Sequence, residues 1–373
     1  MRAICIGSAM VDIITIVESR DVERMTMHND NASFLLLEQG RKIEAESISE
    51  HVGGGAINAA VSMTRLGLQV SPIVKLGQDS NGDQILDRLQ RENVDAKLVI
   101  RLEGQPTGTA VMVSSHDRNA TIFTQRGTNT LLLEKDFPAE KFAGVDLVFV
   151  SNLSNRSSDS FPLIVKRARN AGAFVAANPG IRQLTSRTAS LFDSLPNIDL
   201  LAINRVEAEA LIPALVGRLG DPAFGRGIEA HYHVDGAPAR LIERGLAYGS
   251  FTMEFGQFMA AMVFHGQVGR MLVTDGTHGA YLADQTGLHY CPALAVEPKG
   301  TAGAGDAFTS TVSTFLAGGH DAGEALQAGA CNSASVVAEV DTQMGLLTEA
   351  ALNEARLAEQ AQLATAYWPW SGE

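Results

Sequence analysis

A carboxylate and several glycines lie where a helix is predicted to begin. The run GTAGAGD occupies residues 300–306, and apolar side chains follow it at helical spacing. Backbone N–H groups in a first helical turn have no helical acceptor, and glycine lets an anion approach them closely. We therefore predict an anion hole at Gly303, Ala304 and Gly305, with Asp306 as a base that deprotonates a hydroxyl group. The alternative is a glycine-rich turn whose aspartate the helix dipole favours.

A second glycine cluster precedes another predicted helix. Gly53, Gly54 and Gly55 are consecutive, Asn58 follows within the first turn, and apolar residues recur after it at helical spacing. Ordering three glycines costs backbone entropy, which favours a place where the chain closely approaches another group. We predict that Gly54 and Gly55 approach a polyol whose hydroxyl groups bind the side chain of Asn58. A plain loop is the alternative.

The elements that must position these segments are typical of an α/β sheet. Short apolar runs alternate with helical patterns, which predicts a largely parallel sheet covered on both faces. Ligands of such sheets bind at the carboxyl ends of the strands. Four polar residues follow predicted strands and are expected at that edge, namely Asp12, Asn178, Asn204 and Thr274. The predicted strands are Arg2–Ile6, Pro72–Leu76, Leu147–Ser151, Phe174–Ala177, Leu200–Ile203 and Arg270–Thr274.

Composition limits the class of protein. A chain of 373 residues that is 45% hydrophobic and 19% charged suits one sizeable buried core. The net charge of −13 disfavours nucleic acid as a partner, because phosphates require a basic face. Three scattered cysteines without Cys-x-x-Cys spacing favour a reducing cytoplasm. No apolar run is long enough to span a membrane and no export signal is recognised, so we expect a cytoplasmic protein.

The two glycine segments resemble the signature regions of the ribokinase (PfkB) family of carbohydrate and nucleoside kinases. The resemblance extends along most of the chain and implies a ribokinase-like three-layer α/β fold. That fold has a largely parallel central sheet and a small β-sheet lid, in one domain over residues 1–373. Seven further motifs follow the order of the family: Ile4–Asp12, Arg65–Gly67, Lys75–Asp79, Pro106–Ala110, Arg126–Asn129, Asn204–Glu207 and Thr274–Gly279.

The resemblance also implies a reaction, in-line transfer of the γ-phosphoryl group of Mg-ATP to a hydroxyl group of a sugar or sugar-like molecule. Asp306 would take the proton, and the anion hole would bind the phosphoryl group. Glu207, with Asn204, would organise Mg²⁺ mainly through water. The residues implied for the acceptor are Asp12, Gly54, Gly55 and Asn58, and those implied near the nucleotide are Asn178, Asn204, Thr274, Gly276 and Asn332. Alternatively, Asn204 caps the helix of Glu207, and Asn332 is a polar residue on a packing helix.

Two features depart from the family pattern. Many relatives carry an aspartate before Thr301 that helps to hold a monovalent cation, whereas this chain has Lys299-Gly300 there. We therefore regard potassium activation as doubtful; Lys299 either supplies a fixed positive charge or is a solvated surface lysine. The gap between Glu207 and Thr274 is longer than usual, which indicates an insertion at about 213–262. We interpret its Met- and Phe-rich stretch, Met253–Phe264, as a packing or dimer face.

The resemblance implies that segments 13–48 and 96–124 form the lid over the acceptor. Lid closure would exclude water and suppress hydrolysis of ATP. Lid strands of this family often pair between subunits, so we expect a homodimer.

The same residues bear on other classes of function. Neither glycine cluster completes the Gly-x-Gly-x-x-Gly pattern of dinucleotide-binding dehydrogenases, and no Gly-Lys pair of a P-loop occurs. A nucleoside kinase needs an aromatic shelf for the base, which the lid segments offer only at Phe34 and Phe123, so a sugar is favoured. A phosphorylated sugar needs basic groups near the lid, for which Arg126 and Lys97 are candidates. A non-catalytic sugar-binding regulator on the same fold is the remote alternative.

Overall fold

The computed structural model describes residues 1–17, 23–26, 33–36, 40, 42–114, 120–219 and 241–370, with side chains given for all of these except 23–26, 33–35, 114, 120 and 219. Parts of the predicted lid segments and of the predicted insertion lie outside these residues, and so does the side chain of Phe34.

Nineteen strands and eleven α-helices are assigned within the described residues. The strands are β1 (Arg2–Ile6), β2 (Met10–Val17), β3 (Glu23–Thr26), β4 (Ser33–Leu36), β5 (Ala45–Gly53), β6 (Gln69–Ile73), β7 (Lys75–Gly77), β8 (Ile100–Leu102), β9 (Gly108–Ser114), β10 (Ala120–Gln125), β11 (Leu147–Val150), β12 (Phe174–Ala177), β13 (Leu200–Asn204), β14 (Leu246–Tyr248), β15 (Phe251–Met253), β16 (Met271–Thr274), β17 (Ala280–Ala283), β18 (Gly287–Cys291) and β19 (Ala366–Pro369). The helices are α1 (Gly55–Arg65), α2 (Ser80–Arg91), α3 (Phe161–Asn170), α4 (Ile181–Ser186), α5 (Thr188–Ser194), α6 (Arg205–Leu219), α7 (Leu241–Arg244), α8 (Phe255–Ala260), α9 (Ala304–Ala317), α10 (Ala322–Val337) and α11 (Glu349–Ala358).

The central sheet has nine strands in the order β19-β18-β17-β16-β13-β12-β11-β1-β6. The strands from β16 to β6 in this order are mutually parallel, and β17, β18 and β19 extend the sheet antiparallel. The predicted largely parallel sheet is therefore confirmed. The run predicted as one strand at Pro72–Leu76 is divided instead, because β7 leaves the sheet and pairs with β8.

Alternate residues of each parallel strand face opposite sides of the sheet, as the period of a strand requires. Ala3 and Cys5 pack in one buried cluster with α1, α9 and α10, whereas Ile4 and Ile6 pack in the other with α3, α5 and α6. Both faces are thus covered, which explains why the strand sequences are apolar without alternation. The Met- and Phe-rich stretch packs in the second cluster, where Phe255, Phe258, Met259 and Met262 are fully buried.

A second sheet lies beside the carboxyl ends of the parallel strands. Its four strands are arranged in the order β10-β9-β2-β5, with β2 parallel to β9 and antiparallel to β5. It draws on both segments expected to form the lid, although residues 96–102 belong to a 3-10 turn and to β8 rather than to this sheet. None of the described helices combines the length and apolar character that crossing a membrane would need.

Candidate active site

The anion-hole segment adopts the geometry that its glycines require. Gly303 caps α9 with φ of 82°, in the left-handed region, and a Cβ atom there would lie 2.7 Å from the carbonyl oxygen of Thr342. Glycine is therefore needed for both backbone conformation and space. Ala304, Gly305 and Asp306 follow in the first turn, where N–H groups have no helical acceptor. The local sequence thus places a carboxylate beside several free donors.

Asp306 is held by a side chain from the other glycine segment. Asn58 Nδ2 donates to Asp306 Oδ2 at 2.8 Å. Burial raises the pKa of Asp306 above its ordinary value, and the hydrogen bond from Asn58 acts in the opposite direction. A carboxyl group with a raised pKa is a stronger base when ionised, as proton removal from a hydroxyl group requires.

Asn58 is itself fixed by two donors. Its Oδ1 atom accepts from Gln343 Nε2 at 2.9 Å and from Thr342 Oγ1 at 3.2 Å, and the residue is 4% exposed. These contacts orient the amide so that its N–H group faces Asp306. In the structure Asn58 positions the base, and its binding of acceptor hydroxyl groups stays a prediction.

The three glycines at the start of α1 make room for other protein groups. A Cβ atom at Gly53 would lie 2.2 Å from Asp12 Oδ2, and one at Gly54 would lie 2.6 Å from the carbonyl oxygen of Ser8. At Gly55 it would lie 3.3 Å from Asp306 Oδ1. The close approach predicted from these glycines thus brings the chain against Asp12 and Asp306, the two carboxylates of the site.

Asp12 is a buried carboxylate at the start of the second sheet. It is 6% exposed, and no described residue donates a hydrogen bond to its carboxylate. Burial is the main cause that raises the pKa of Asp12 to about 6; nearby Asp306 and Asp341 raise it further, and His51 opposes them. Its oxygen atoms are therefore available to accept hydrogen bonds from the hydroxyl groups of a ligand.

A largely apolar cavity of about 610 Å³ opens beside the anion hole. Ala304, Gly305 and Phe308 form one wall, and Thr274 and Gly276 form another. The remaining wall is mostly apolar and includes Pro292, Ala293, Leu294, Ala295, Val296, Pro298, Ala330, Ala334 and Val337. Such a cavity suits a flat aromatic base, and the helix terminus at its end suits the negative charge of a phosphate tail.

A second cavity of about 520 Å³ lies on the other side of residues Thr274–His278. Asn204 and Glu207 line it and cap α6 reciprocally, with Glu207 N donating to Asn204 Oδ1 at 3.0 Å and Asn204 N donating to Glu207 Oε2 at 2.9 Å. The helix-cap alternative for Asn204 thus holds, while the residue also remains at the site. Burial raises the pKa of Glu207.

The residues at this second cavity fit Mg²⁺ as a largely hydrated ion. No group of three or more His, Cys, Asp or Glu side chains that could hold a metal occurs among the described residues. Glu207 is a single carboxylate with an amide, Asn204, beside it. Mg²⁺ commonly binds through one or two carboxylates, water and substrate phosphates, so this sparse set is compatible with it.

Two predicted nucleotide contacts are not brought to the cavities. Asn332 is fully buried, donates to Thr311 Oγ1 at 2.8 Å and accepts from Leu347 N at 2.9 Å. Its placement is corrected to a packing position, because its amide is saturated inside the protein while Ser333 lines the large cavity. Asn178 lies at the expected sheet edge, but its side chain donates to the carbonyl oxygen of Ala202 at 2.8 Å.

Two lysines considered for the site lie on the surface. Lys299 is 59% exposed and its Nζ lies 3.7 Å from Glu339 Oε2, which matches a solvated lysine rather than a fixed charge under the anion hole. Lys97 is 68% exposed and forms an ion pair with Asp95 at 2.6 Å.

Thr342 and Gln343 were not predicted as site residues, and neither was His51, whose Nδ1 lies 2.7 Å from Asp341 Oδ2. The Asp341–Gln343 segment carries no glycine motif and reaches Asn58 only through the tertiary fold. No local signal could have revealed it.

Comparison with known proteins places this geometry in a family. The model of the pfkB family of carbohydrate kinases matches residues 2–216 and 257–366, which is most of the chain. Residues 217–256, inside the predicted insertion, lie outside the matched regions.

Individual relatives are distant. The chain is 27% identical to 2-dehydro-3-deoxygluconokinase of Bacillus subtilis over 43% of this chain and 52% of that protein, so the match spans about half the length of that relative. It is 25% identical to an ATP-dependent ribose-1-phosphate kinase of Halopiger xanaduensis over 64% of this chain and 83% of that protein.

Solved structures share the fold. Ribokinase of Arabidopsis thaliana, complexed with ribose and ATP, superposes with a TM-score of 0.68 at 19% identity, covering 95% of this chain and 98% of that one. A nucleoside kinase of Burkholderia thailandensis in complex with inosine has a TM-score of 0.68 at 18% identity, with coverage of 95% and 98%. The fold is therefore ribokinase-like, as predicted, and the chain belongs to the pfkB family of carbohydrate kinases.

Proposed function

We propose that this member of the pfkB family transfers the γ-phosphoryl group of Mg-ATP to a hydroxyl group of a sugar or sugar-like small molecule. One observation carries the proposal, the position of Asp306 between two groups. On one side lies Asp12, a buried carboxylate that can accept hydrogen bonds from hydroxyl groups. On the other side lie the N–H donors of a helix terminus that opens on an apolar cavity.

In the reaction, the nucleotide base occupies the apolar cavity and the phosphate tail runs along Thr274 and Gly276 to the start of α9. Asp12 accepts hydrogen bonds from hydroxyl groups of the acceptor and thereby fixes the orientation of the acceptor. Asp306 takes the proton of the attacking hydroxyl group, while the N–H groups of Gly303, Ala304 and Gly305 bind the charge on the transferring phosphoryl group. Glu207 and Asn204 would hold a largely hydrated Mg²⁺, which would neutralise phosphate charge.

The acceptor site also favours a substrate with an anionic group. Arg126 follows β10 and donates to Ser154 Oγ at 2.7 Å, and burial and the nearby charge of Arg182 lower the pKa of Arg126. Within the described part of the chain, neither guanidinium forms an ion pair with a carboxylate. A partly buried guanidinium group with a second one nearby suits a carboxylate or phosphate.

These arginines adjoin the acceptor edge. Ser8 Oγ accepts from Gly55 N at 3.0 Å and donates to Asn152 Oδ1 at 2.9 Å, and Gly180, which precedes α4 and Arg182, lies against Asn152. The names of two relatives, 2-dehydro-3-deoxygluconokinase and ribose-1-phosphate kinase, agree with an acidic or phosphorylated sugar.

A nucleoside kinase is the second candidate. Phe123 lies on β10 of the second sheet and is 59% exposed, so its ring is free to stack on a base. The solved nucleoside kinase of the same fold contains inosine.

A substrate panel tests the proposal. Sugar acids, sugar phosphates, the neutral sugars with the same skeletons and nucleosides are assayed with ATP and Mg²⁺, and the products are scored by kcat/KM. We expect an anionic sugar to be preferred and Arg126→Ala to remove the preference, while Lys97→Ala, the matched basic control, leaves it intact. Preference for a nucleoside would favour the second candidate, and ligand-induced stabilisation without turnover across the panel would favour a binding protein.

A further inference from the structure

A guanidinium group from outside the matched regions of the family enters the second cavity. Arg244 ends α7, and α7 lies in the interval between the two regions that the family model covers. Its side chain lines the 520 Å³ cavity together with Asn204, Glu207 and residues Thr274–His278, which we call the nucleotide turn. The insertion therefore contributes directly to a cavity whose other walls belong to the shared fold.

Arg244 binds a buried carboxylate at the centre of the nucleotide turn. Asp275 is 7% exposed, and its Oδ2 accepts from Arg244 Nη2, while its Oδ1 accepts from Arg205 Nε at 3.0 Å. His278 Nδ1 lies 3.5 Å from the same Oδ2. A carboxylate removed from water needs such partners, and removal of one of them leaves buried charge uncompensated.

The two arginines hold the turn from different elements. Arg205 begins α6, and it also pairs with Glu209 at 2.9 Å, whereas Arg244 approaches from α7. Among the described residues, Asp275 is the acid with which Arg244 forms an ion pair. Asp275 in turn anchors the backbone, because its N–H group donates to Gly279 O at 2.8 Å and its carbonyl oxygen accepts from His278 N at 3.0 Å.

The backbone held in this way faces both cavities. Thr274 and Gly276 flank Asp275 and line the large apolar cavity as well as the second one, and Gly276 has φ of 56°, in the left-handed region. A shift of Asp275 would therefore move both residues that contact the phosphate tail in the proposed function. Small displacements of positioning groups have large effects on binding and reaction geometry.

We propose that Arg244 is a positioning residue for nucleotide binding, through which the insertion holds the nucleotide turn by way of Asp275. The inference rests on the proposed function, which places the nucleotide along Thr274 and Gly276. It assigns to the insertion a role in binding the phosphoryl donor rather than the acceptor.

ADP binding without acceptor, measured by calorimetry on the full chain, tests the inference. Arg244→Ala should weaken ADP binding about ten- to hundredfold, the range expected for losing a charged hydrogen bond that orders the site. Arg218→Ala is the matched control, because Arg218 lies in the same insertion but forms an exposed ion pair with Asp193 at 2.5 Å. This control should bind ADP as the wild type does.

A double-mutant cycle separates positioning from direct contact. Asp275→Asn alone should weaken ADP binding as Arg244→Ala does, and the double variant should lose little more, because both act through one interaction. Additive losses, or ADP binding unchanged in Arg244→Ala, would overturn the inference. Should Arg244→Ala not fold, Arg244→Lys replaces it and is expected to show a smaller loss of the same kind.

Kinetic measurements give a second readout. In Arg244→Ala, the KM for ATP should rise while the KM for the acceptor is unchanged, and a merely structural role would lower thermal stability without this selectivity. Failure of the wild type to bind ADP would instead contradict the proposed function, so the two failures are distinguishable.

Discussion

Asp12 and Asp306 are two carboxylates in one candidate site, and their surroundings differ. Asp306 accepts a hydrogen bond from Asn58 and adjoins the helix terminus. Asp12, on β2 of the second sheet, has no hydrogen-bond donor among the described residues. The sequence predicted both residues, because each follows a recognisable strand or glycine pattern. It could not predict Gln343, whose contact with Asn58 joins residues 285 positions apart.

Asp12→Asn should stabilise the protein at high pH. The pKa of Asp12 is raised from 3.8 to about 6 in the folded protein, so ionisation costs stability that is fully lost above about pH 6 and regained as the pH falls towards 4. The variant should exceed the wild type in free energy of unfolding by on the order of 2 to 3 kcal/mol at pH 8, and by little near pH 4. Urea unfolding at both pH values is the measurement. An equal difference at the two pH values would contradict the buried, high-pKa assignment.

Gln343→Leu should disturb Asp306 through Asn58. Loss of the donor frees the Asn58 amide, so the hydrogen bond that lowers the pKa of Asp306 weakens and the acid limb of the kcat profile moves to higher pH. We expect kcat to fall about tenfold, in line with a loss of roughly 1 to 1.5 kcal/mol from one hydrogen bond, with little change in the KM for ATP.

Gln327→Leu is the matched control for that experiment, because Gln327 Nε2 donates to the carbonyl oxygen of Leu363 at 3.0 Å and not to Asn58. An unchanged pH profile in Gln343→Leu would show that Asn58 is oriented without it.

At the scale of elements, α1, α2 and α9 meet around one loop. Arg65 at the end of α1 donates to the carbonyl oxygens of Gln343 and Leu346 at 3.0 and 2.6 Å, and Arg88 on α2 donates to Gln343 Oε1 at 2.9 Å. The sequence predicted the strands and the glycine-led helices from local periodicity. It wrongly joined the end of β6 and the start of β7 in one predicted strand, because the pairing of β7 with β8 depends on tertiary contacts.

Gly303→Ala tests whether glycine is required at the N-terminus of α9. Gly303 and Gly319 both have positive φ, 82° and 86°, at opposite ends of α9, but only a Cβ atom at Gly303 would meet a neighbour, at 2.7 Å. Each substitution should cost about 1 to 2 kcal/mol for the left-handed conformation. Gly303→Ala should in addition lower kcat about a hundredfold, because the anion-hole donors are displaced. Thermal melting and initial rates measure both effects, and equal activity in the two variants would contradict the assigned anion hole.

The whole molecule combines a shared fold with parts of its own. The order of the motifs predicted the ribokinase-like fold, because seven weak patterns in sequence constrain a topology better than any single one does. The sequence predicted the insertion but not its role, since no pattern indicated that it delivers Arg244 to Asp275. The position of the Lys299 side chain, exposed beside Glu339, likewise required the structure.

We further predict a homodimer that forms through the second sheet. Ile48, Ile122 and Phe123 are 67%, 56% and 59% exposed on its two edge strands, β5 and β10. Exposed apolar side chains on sheet edges favour pairing with another copy. Light scattering should show a dimer that Phe123→Asp converts to a monomer, while Leu357→Asp, at a 75% exposed position on α11, leaves it intact. A monomeric wild type would contradict the prediction.

The central claim is that Asp306 removes the proton from the acceptor hydroxyl group. Its most direct test is the single-turnover rate of phosphoryl transfer in Asp306→Asn, with folding checked by thermal melting and ADP binding checked by calorimetry. We expect a folded protein that binds ADP normally and transfers the phosphoryl group about a hundred- to ten-thousandfold more slowly. A transfer rate close to that of the wild type would contradict it.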